Sequence, residues 1–385
     1  MALGARPNRS IFIPMSTHPS FHPSSHGGPH AGPHAGPHIA QRLAYAASQS
    51  ARVAWFFGQY MLAARLGDRF GGRTRLQRPP EGPVPDTRAV LEELRALLAR
   101  DLANIEAGYY RLPHDLLPDP RRVLADAAAF FRDVPEVSRR RRGRIATEVR
   151  ANPPPGSESL PAYYRQNFHF QTGGYLTEQS ARLYDHQVEV LFGGGADAMR
   201  RQTLVPIFEH LKTRRTADCR LLDVAAGTGR YLTFVKDNHP RLPVIALDLS
   251  AAYLREARRN LAPWARTSFV VQAAAEAMPL ADDSQDIVTC IYLFHELPGK
   301  VRSAAAREMA RVLKPGGILV FMDSLQHGDN PAMDGLLDLF PQAFHEPYYA
   351  HYARDDLEAL FTGAGLRTRT ASLAYMSKLL VLEKP

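Results

Sequence analysis

The sequence is poor in cysteine and in long apolar runs. Only two of its 385 residues are cysteines, Cys219 and Cys290, and both lie in apolar, strand-like segments. This count excludes a disulfide framework and fits a reducing cytosol, so we expect a cytoplasmic protein. The best candidate for a membrane helix, residues 53–64, is shorter than the ~20 residues that a spanning helix needs. The first 15 residues also lack the apolar core of a secretion signal, so neither a span nor a signal is predicted.

Positive charge is in excess, with a formal net charge of +8. The arginines concentrate at residues 71–78 and 139–144, beside predicted loops. Charge runs of this kind commonly form a solvated surface. No interleaving of aromatic and basic residues and no zinc module accompanies them, so nucleic acid is not expected as a partner.

The first third of the chain contains no recognisable chemistry. Residues 1–38 are rich in His, Pro and Gly, and their prolines block a helix, so we predict a disordered tail. This tail either binds zinc or nickel loosely or is low-complexity sequence without a function. Residues 39–158 are predicted to be a helical accessory region, with a break between helices at 121–132 and about 136–150.

From residue 219 the pattern changes to alternating strands and helices. Seven strand-like runs alternate with amphipathic helices or, at the end of the chain, follow one another directly. This alternation predicts an α/β fold with a doubly wound, mostly parallel seven-stranded sheet of Rossmann-like type over residues 216–385. Residues 159–215 should form lid helices of the same domain, including one helix over 196–211.

The turn after the first strand, in LLDVAAGTGRYL at residues 221–232, has the composition of a nucleotide site. Gly227 and Gly229 leave bare backbone where a strand gives way to a helix, at the sheet edge where such folds bind ligands. Asp248 ends the second strand, where an acid can accept the hydroxyls of a ribose. This spacing serves NAD as well as other adenosine ligands, although Leu232 occupies the place of the third glycine in a dinucleotide motif.

Four segments in this order resemble the class I S-adenosylmethionine-dependent methyltransferases, particularly the small-molecule group with quinone-methylating members: LLDVAAGTGR, ALDLS, EAMPLADDSQD and VLKPGGILVF. The resemblance covers about residues 216–385. It implies S-adenosylmethionine as cofactor and in-line transfer of a methyl group to a small-molecule acceptor. The cofactor-binding residues that it implies are Asp223, Ala225, Gly227, Gly229, Asp248, Leu249, Ala275, Glu276 and Phe294. Ala225 and Ala274 depart from the family pattern, in which a glycine and often an aspartate stand.

The acceptor side is predicted from residues at the end of the fourth strand and around it. His295 is the candidate general base, or alternatively a histidine that lines or caps the pocket. Glu296 is not part of an HExxH helix, so no metal ligand is predicted there or elsewhere in the folded region. Tyr184 is a candidate lid residue, together with Tyr175 and Asp185. The remaining candidates for the acceptor pocket, besides Tyr175, are His345, Tyr348, Tyr349 and Tyr352, which could instead pack on the sheet.

The sequence also allows three other functions. The basic helical region could dock RNA or protein for methylation. The chain could bind the cofactor without turnover, or it could be an NAD oxidoreductase. A small-molecule methyltransferase is the reading that the four motifs favour.

Overall fold

The N-terminal region is helical in a computed structural model that describes residues 39–71 and 78–385. The predicted tail, residues 1–38, and most of the arginine cluster at 71–78 lie outside the described residues. The helices of this region are α1 (Ile39–Gly71), α2 (Thr87–Glu106), α3 (Pro120–Gly143) and the short α4 (Glu148–Ala151). None of the helices in the described ranges combines the length and hydropathy that a bilayer crossing requires.

Two helix boundaries differ from the predictions. The predicted break near residue 135 is wrong, because α3 continues through Pro135 and has buried residues on both sides of it, Val134 before it and Ser138 after it. One missing amide costs the helix a hydrogen bond, and the buried side chains offset that loss. Conversely, the single helix predicted over 196–211 is divided at Thr203. Pro206 has no amide to continue the first segment and is tolerated in the first turn of the second.

Three helices precede the sheet: α5 (Glu178–Leu191), α6 (Ala196–Gln202) and α7 (Leu204–Leu211). The seven strands are β1 (Leu221–Val224), β2 (Val244–Asp248), β3 (Ser268–Gln272), β4 (Gln285–Ile291), β5 (Leu313–Ser324), β6 (Arg367–Ala374) and β7 (Ser377–Glu383). The helices between them are α8 (Arg230–Asn238), α9 (Ala251–Asn260), α10 (Gly299–Val312), α11 (Asp334–Ala343), α12 (Tyr349–Tyr352) and α13 (Leu357–Gly363).

The sheet has the order β3-β2-β1-β4-β5-β7-β6, and β7 runs antiparallel to both of its neighbours. The predicted Rossmann-like fold with its reversed terminal hairpin is therefore confirmed. From β1 the chain builds outward through β2 and β3, and then returns to the opposite side of β1 with β4. At such a reversal the connections diverge and leave a crevice at the carboxyl ends of the strands.

Apolar side chains on the two faces of the sheet belong to two different cores. In β1, Leu221 packs on one face and Leu222 on the other, as the alternation of a strand requires. The core that contains Leu221 also contains Leu94 and Tyr110 of the helical region. The N-terminal helices therefore share a hydrophobic core with the sheet.

Candidate active site

A cleft opens at the carboxyl ends of β1, β2 and β4, where the strand order reverses. It encloses about 720 Å³ of non-atom space, including its open mouth. The residues that line it are mainly aromatic or apolar: Tyr163, Tyr164, Phe168, Tyr175, Tyr184, Ala225, Gly227, Leu247, Asp248, Leu249, Tyr253, Ala273, Ala275, Tyr292, Leu293, Glu296 and Leu297. Only two of these side chains, Asp248 and Glu296, are carboxylates.

The two glycines of the first turn have different surroundings. Both have positive φ, +56° at Gly227 and +70° at Gly229. A Cβ atom on Gly227 would meet only Tyr253, at 3.9 Å, whereas a Cβ on Gly229 would lie 3.1 Å from the Cβ of Ala257 in α9. Gly227 therefore faces the open cleft, and Gly229 allows α9 to pack closely against the turn. Ala225 lies in the same left-handed region with φ of 59°, where an alanine is strained.

Asp248 connects β2 to this turn. Its Oδ2 atom accepts a hydrogen bond from the amide of Gly227, and its Oδ1 atom accepts one from the amide of Ser250, each at 2.8 Å. Burial raises the pKa of Asp248 to about 6, although the backbone donors oppose this shift. Each carboxylate oxygen retains a lone pair for a further donor.

Asp223 lies behind the cleft, not in its lining. In the β1–β4 register it pairs with Thr289, whose hydroxyl donates to Asp223 Oδ1 at 2.6 Å. Burial raises the pKa of Asp223 to about 7. The carboxyl group supports the strand end next to the first turn.

Of the other implied cofactor residues, some line the cleft and some lie behind its lining. Leu249 and Ala275 line the cleft, whereas Glu276 accepts a 2.7 Å hydrogen bond from the hydroxyl of Tyr163, which is in the lining. Phe294 is fully buried and packs against Phe321, with ring centroids 4.8 Å apart.

The predicted lid residues contact the first turn and the cleft. Tyr175 and Tyr184 are both in the lining, and each ring packs edge-on against Tyr253 of α9 at 5.8 and 5.4 Å. Asp185 accepts hydrogen bonds from the hydroxyl of Thr228, between the two glycines, at 3.0 and 2.9 Å. Helix α5 thus covers the glycine turn directly.

His295 is buried and does not line the cleft, although the next residue, Glu296, does. Its Nδ1 atom lies 2.5 Å from Oδ1 of Asp323, which is near the end of β5. Burial lowers the pKa of His295, but the adjacent Asp323 carboxylate outweighs this, so the net direction is upward. The Nε2 atom lies 3.8 Å from Oε1 of Glu296, which does line the cleft. Asp323 was not among the predicted site residues, and only its position at a strand end could have indicated it.

Glu296 is the centre of a group of polar residues that sequence reasoning did not bring together. Its Oε1 atom accepts a 2.6 Å hydrogen bond from the hydroxyl of Tyr175 and lies 3.5 Å from Nε2 of His169. Nδ1 of His169 is 3.1 Å from Oε1 of Glu346, in the insertion after β5.

The predicted acceptor residues of that insertion do not line the cleft. The hydroxyls of Tyr349 and Tyr352 bond to the Oγ and carbonyl oxygens of Ser324, at 2.7 and 2.6 Å. Their rings lie about 6 Å from that of His295, centroid to centroid. His345 is held by Gln166 at 2.7 Å, and Tyr348 is half-buried. Tyr349 and Tyr352 therefore pack beside His295.

The comparison with known families matches the central part of the sheet. Residues 221–317 match the family model described as a methyltransferase domain. The matched segment includes the glycine turn, Asp248, His295 and Glu296. Residues 221–317 form a methyltransferase domain. The strand order agrees with the class I methyltransferase fold that the four motifs predicted.

Curated relatives match only part of this chain. The chain is 35% identical over 117 residues to the ubiquinone/menaquinone biosynthesis C-methyltransferase UbiE of Syntrophotalea carbinolica, covering 30% of this chain and 48% of that protein. It is 28% identical over 176 residues to the malonyl-[acyl-carrier protein] O-methyltransferase of Geobacter sulfurreducens, covering 44% and 64%. The chain thus spans between about half and two-thirds of the length of these relatives. Among solved structures, the CurJ carbon methyltransferase matches 90% of this chain and 93% of its own, at 14% identity and a TM-score of 0.45.

The cleft fits S-adenosylmethionine, the cofactor that the four motifs predicted. An adenosyl group needs an acceptor for its ribose hydroxyls, apolar surface for the adenine and open backbone near its amino-acid part. The cleft offers all three features: the carboxylate of Asp248 can accept the hydroxyls, Leu249 and Ala275 are apolar, and Gly227 leaves its backbone open. The space in front of Gly227, which a Cβ atom would enter without meeting protein closer than 3.9 Å, is the observation that supports the fit.

A buried ionic network joins the helical region to the methyltransferase domain. Arg230 is the first residue of α8, directly after Gly229, and its guanidinium contacts Asp115 and lies 2.6 Å from Asp197 of α6. Arg52 of α1 lies 2.8 Å from the same Asp197 and 2.7 Å from Glu189. The network therefore runs from the first helix to the end of the glycine turn.

Proposed function

We propose that this protein transfers a methyl group from S-adenosylmethionine to a small-molecule acceptor. The observation that carries the proposal is the cleft itself, in which Asp248 is bonded to the Gly227 amide beside apolar and aromatic walls. When bound, S-adenosylmethionine supplies an electrophilic methyl group on a sulfonium cation. The two free, buried cysteines agree with a cytoplasmic location.

The chain's own residues would hold the cofactor in three ways. Asp248 accepts the ribose hydroxyls, and Leu249 and Ala275 contact the adenine. The rings of Tyr175, Tyr184 and Tyr253 offer electron-rich faces that stabilise a nearby cation. Closure of α5 over the turn through Asp185 excludes water, which strengthens these electrostatic contacts.

His295 is the proposed general base for acceptors that carry a proton. Asp323 holds the Nδ1 atom, which favours the tautomer with the proton on Nδ1 and leaves Nε2 as the basic nitrogen. Nε2 is directed to the side of Glu296, at the cleft wall. His295 would thus accept the acceptor's proton, and Asp323 would act as a positioning residue.

The lining favours a flat, largely apolar acceptor. Tyr164, Phe168 and Tyr292 are aromatic, and Leu293 and Leu297 are aliphatic, so an acceptor gains contact area along most of the cleft. The relatives carry the names of a C-methyltransferase of ubiquinone/menaquinone biosynthesis and an O-methyltransferase of malonyl-[acyl-carrier protein]. We therefore expect methylation at carbon or oxygen.

The test uses methyl-labelled S-adenosylmethionine with a host cell extract, separated into small molecules, RNA and protein. Label that enters a small molecule with wild type but not with Asp248→Asn supports the proposal. Label that enters RNA or protein instead, or no binding of the cofactor in calorimetry, overturns it.

The role of His295 is tested once the acceptor is known. His295→Ala should lower kcat far more than cofactor affinity, because the imidazole lies outside the cofactor part of the lining. Asp323→Asn should also lower kcat, with little change in KM, because it disturbs the tautomer and leaves the cleft walls in place. Equal losses of kcat and cofactor affinity would assign His295 a purely structural role.

A further inference from the structure

A group of three metal-ligating side chains lies beside the cleft, away from the cofactor residues. His169, Glu296 and Glu346 each place one ligand-capable atom within 4.8 Å of the other two. They come from three parts of the chain: the turn Phe168–Phe170, the turn Phe294–Glu296 that follows β4, and the insertion after β5. Atoms at such mutual distances can share one ion whose bonds are roughly 2.0–2.3 Å long.

The carboxylates of this group lack the partners that buried carboxylates normally have. The side chain of Glu346 is fully inaccessible, and that of Glu296 is 10% exposed. Among the described residues, no donor reaches Oε2 of Glu296 or Oε2 of Glu346, and Oε1 of Glu346 has only the Nδ1 atom of His169, at 3.1 Å. Buried charged groups are ordinarily paired or coordinate a metal, so these carboxylates require a further occupant.

The neighbouring charges do not supply one. Within the described ranges, the ion pairs of Glu296 and Glu346 involve only the imidazoles of His169 and His295, and no lysine or arginine. His295 is already bonded to Asp323. When both carboxyl groups are ionised, they share one remaining imidazole, and a cation or a shared proton has to offset the excess of negative charge.

We propose that His169, Glu296 and Glu346 bind a divalent first-row transition-metal ion. One imidazole with two carboxylates suits Mn²⁺, Fe²⁺ or Zn²⁺ better than Mg²⁺ or Ca²⁺, which prefer oxygen ligands alone. The hydroxyl of Tyr175 on Oε1 of Glu296 orients the ligand in the way that outer partners orient metal ligands. The bound ion fastens the insertion and the 168–170 turn to the end of β4, on the acceptor side of the cleft.

The experiment measures metal binding by the full chain without cofactor or acceptor, so its outcome is independent of methyl transfer. The EDTA-treated protein is titrated with Mn²⁺ and then with Zn²⁺, with Mg²⁺ and Ca²⁺ as comparison ions. Bound metal is counted by elemental analysis, and thermal unfolding is followed in parallel. Glu346→Gln is the key variant because it has the shape of a protonated glutamic acid and removes one ligand. Glu92→Gln, on the exposed face of α2, is the matched control.

The expected result is one more equivalent of Mn²⁺ or Zn²⁺ in wild type and Glu92→Gln than in Glu346→Gln, with a metal-dependent rise in melting temperature that the latter lacks. The His-rich tail is present in all three proteins, so metal bound there cancels in the difference. Equal metal binding by wild type and Glu346→Gln would overturn the proposal. The proposal would also be overturned if wild type bound no metal and Glu346→Gln were as stable as wild type. That result would indicate a proton shared by the two carboxyl groups.

Discussion

The Oδ2 atom of Asp248 accepts a hydrogen bond from the amide of Gly227 at 2.8 Å, across 21 residues of sequence. This bond holds the proposed ribose-binding acid and the open turn of the cleft in a fixed relation. Substitution of Asp248 therefore tests both at once. Asp248→Asn keeps the size of the side chain but replaces one acceptor oxygen with a donor.

We expect Asp248→Asn to weaken binding of S-adenosylmethionine by about 10- to 100-fold, because a charge-assisted hydrogen bond is lost and a donor faces a donor. Calorimetry measures the affinity, and circular dichroism with thermal unfolding verifies the fold. An affinity within twofold of wild type would remove Asp248 from the cofactor site.

Cofactor affinity should depend on pH through the same residue. Burial raises the pKa of Asp248 to about 6, so burial favours the neutral carboxyl group in the folded protein without ligand. The contribution of this group to stability therefore increases as the pH falls through 6. Ribose hydroxyls donate to the ionised form, so the affinity should fall as the pH drops below about 6. Asp248→Asn serves as the control, since Asp223 is present in both proteins and their difference isolates Asp248.

The two glycines of the turn should respond differently to alanine. Gly227→Ala introduces a methyl group into the open cleft and should abolish cofactor binding with only the modest strain of a left-handed alanine. Gly229→Ala places its Cβ 3.1 Å from Ala257 and should mainly lower the melting temperature. Calorimetry and thermal unfolding of both variants separate the two effects, and identical behaviour would contradict the different roles.

Ala225 offers a stabilising substitution. Its left-handed backbone costs an alanine roughly 1–2 kcal/mol, and a glycine avoids this at an entropic cost of about 0.4–1 kcal/mol in the unfolded chain. Ala225→Gly should therefore raise the free energy of unfolding by up to about 1.6 kcal/mol. Chemical denaturation measures this value, and clear destabilisation would argue against the left-handed conformation.

The ionic network between the helical region and the glycine turn should contribute strongly to stability. Arg230→Met removes one of the three arginine partners of the buried Asp197 and the partner of the half-buried Asp115, and the expected loss is roughly 2–3 kcal/mol. The matched control is Arg88→Met, which breaks an exposed pair with Glu92 and should change little. Denaturation curves compare the two, and equally small effects would show that the network is not a link between the regions.

Local patterns determined the sheet and the cofactor side of the cleft. The alternation of strand and helix runs, the bare backbone at Gly227 and the acid at Asp248 are each properties of a few neighbouring residues, and they lie where the sequence predicted. Errors arose where packing overruled a local signal, as at Pro135, which was expected to end a helix and lies inside one.

Only the tertiary structure brings together the residues of the proposed acceptor side. Asp323 approaches His295 because β5 lies beside β4 in the sheet, and no local pattern carries the strand order. Glu296 was predicted to have no metal role since its sequence neighbours lack HExxH spacing. Its partners His169 and Glu346 come from segments 127 residues before it and 50 residues after it (296 − 169 and 346 − 296). A sequence records local backbone preferences, whereas a site of this kind forms only when chain folding brings distant loops to one edge of the sheet.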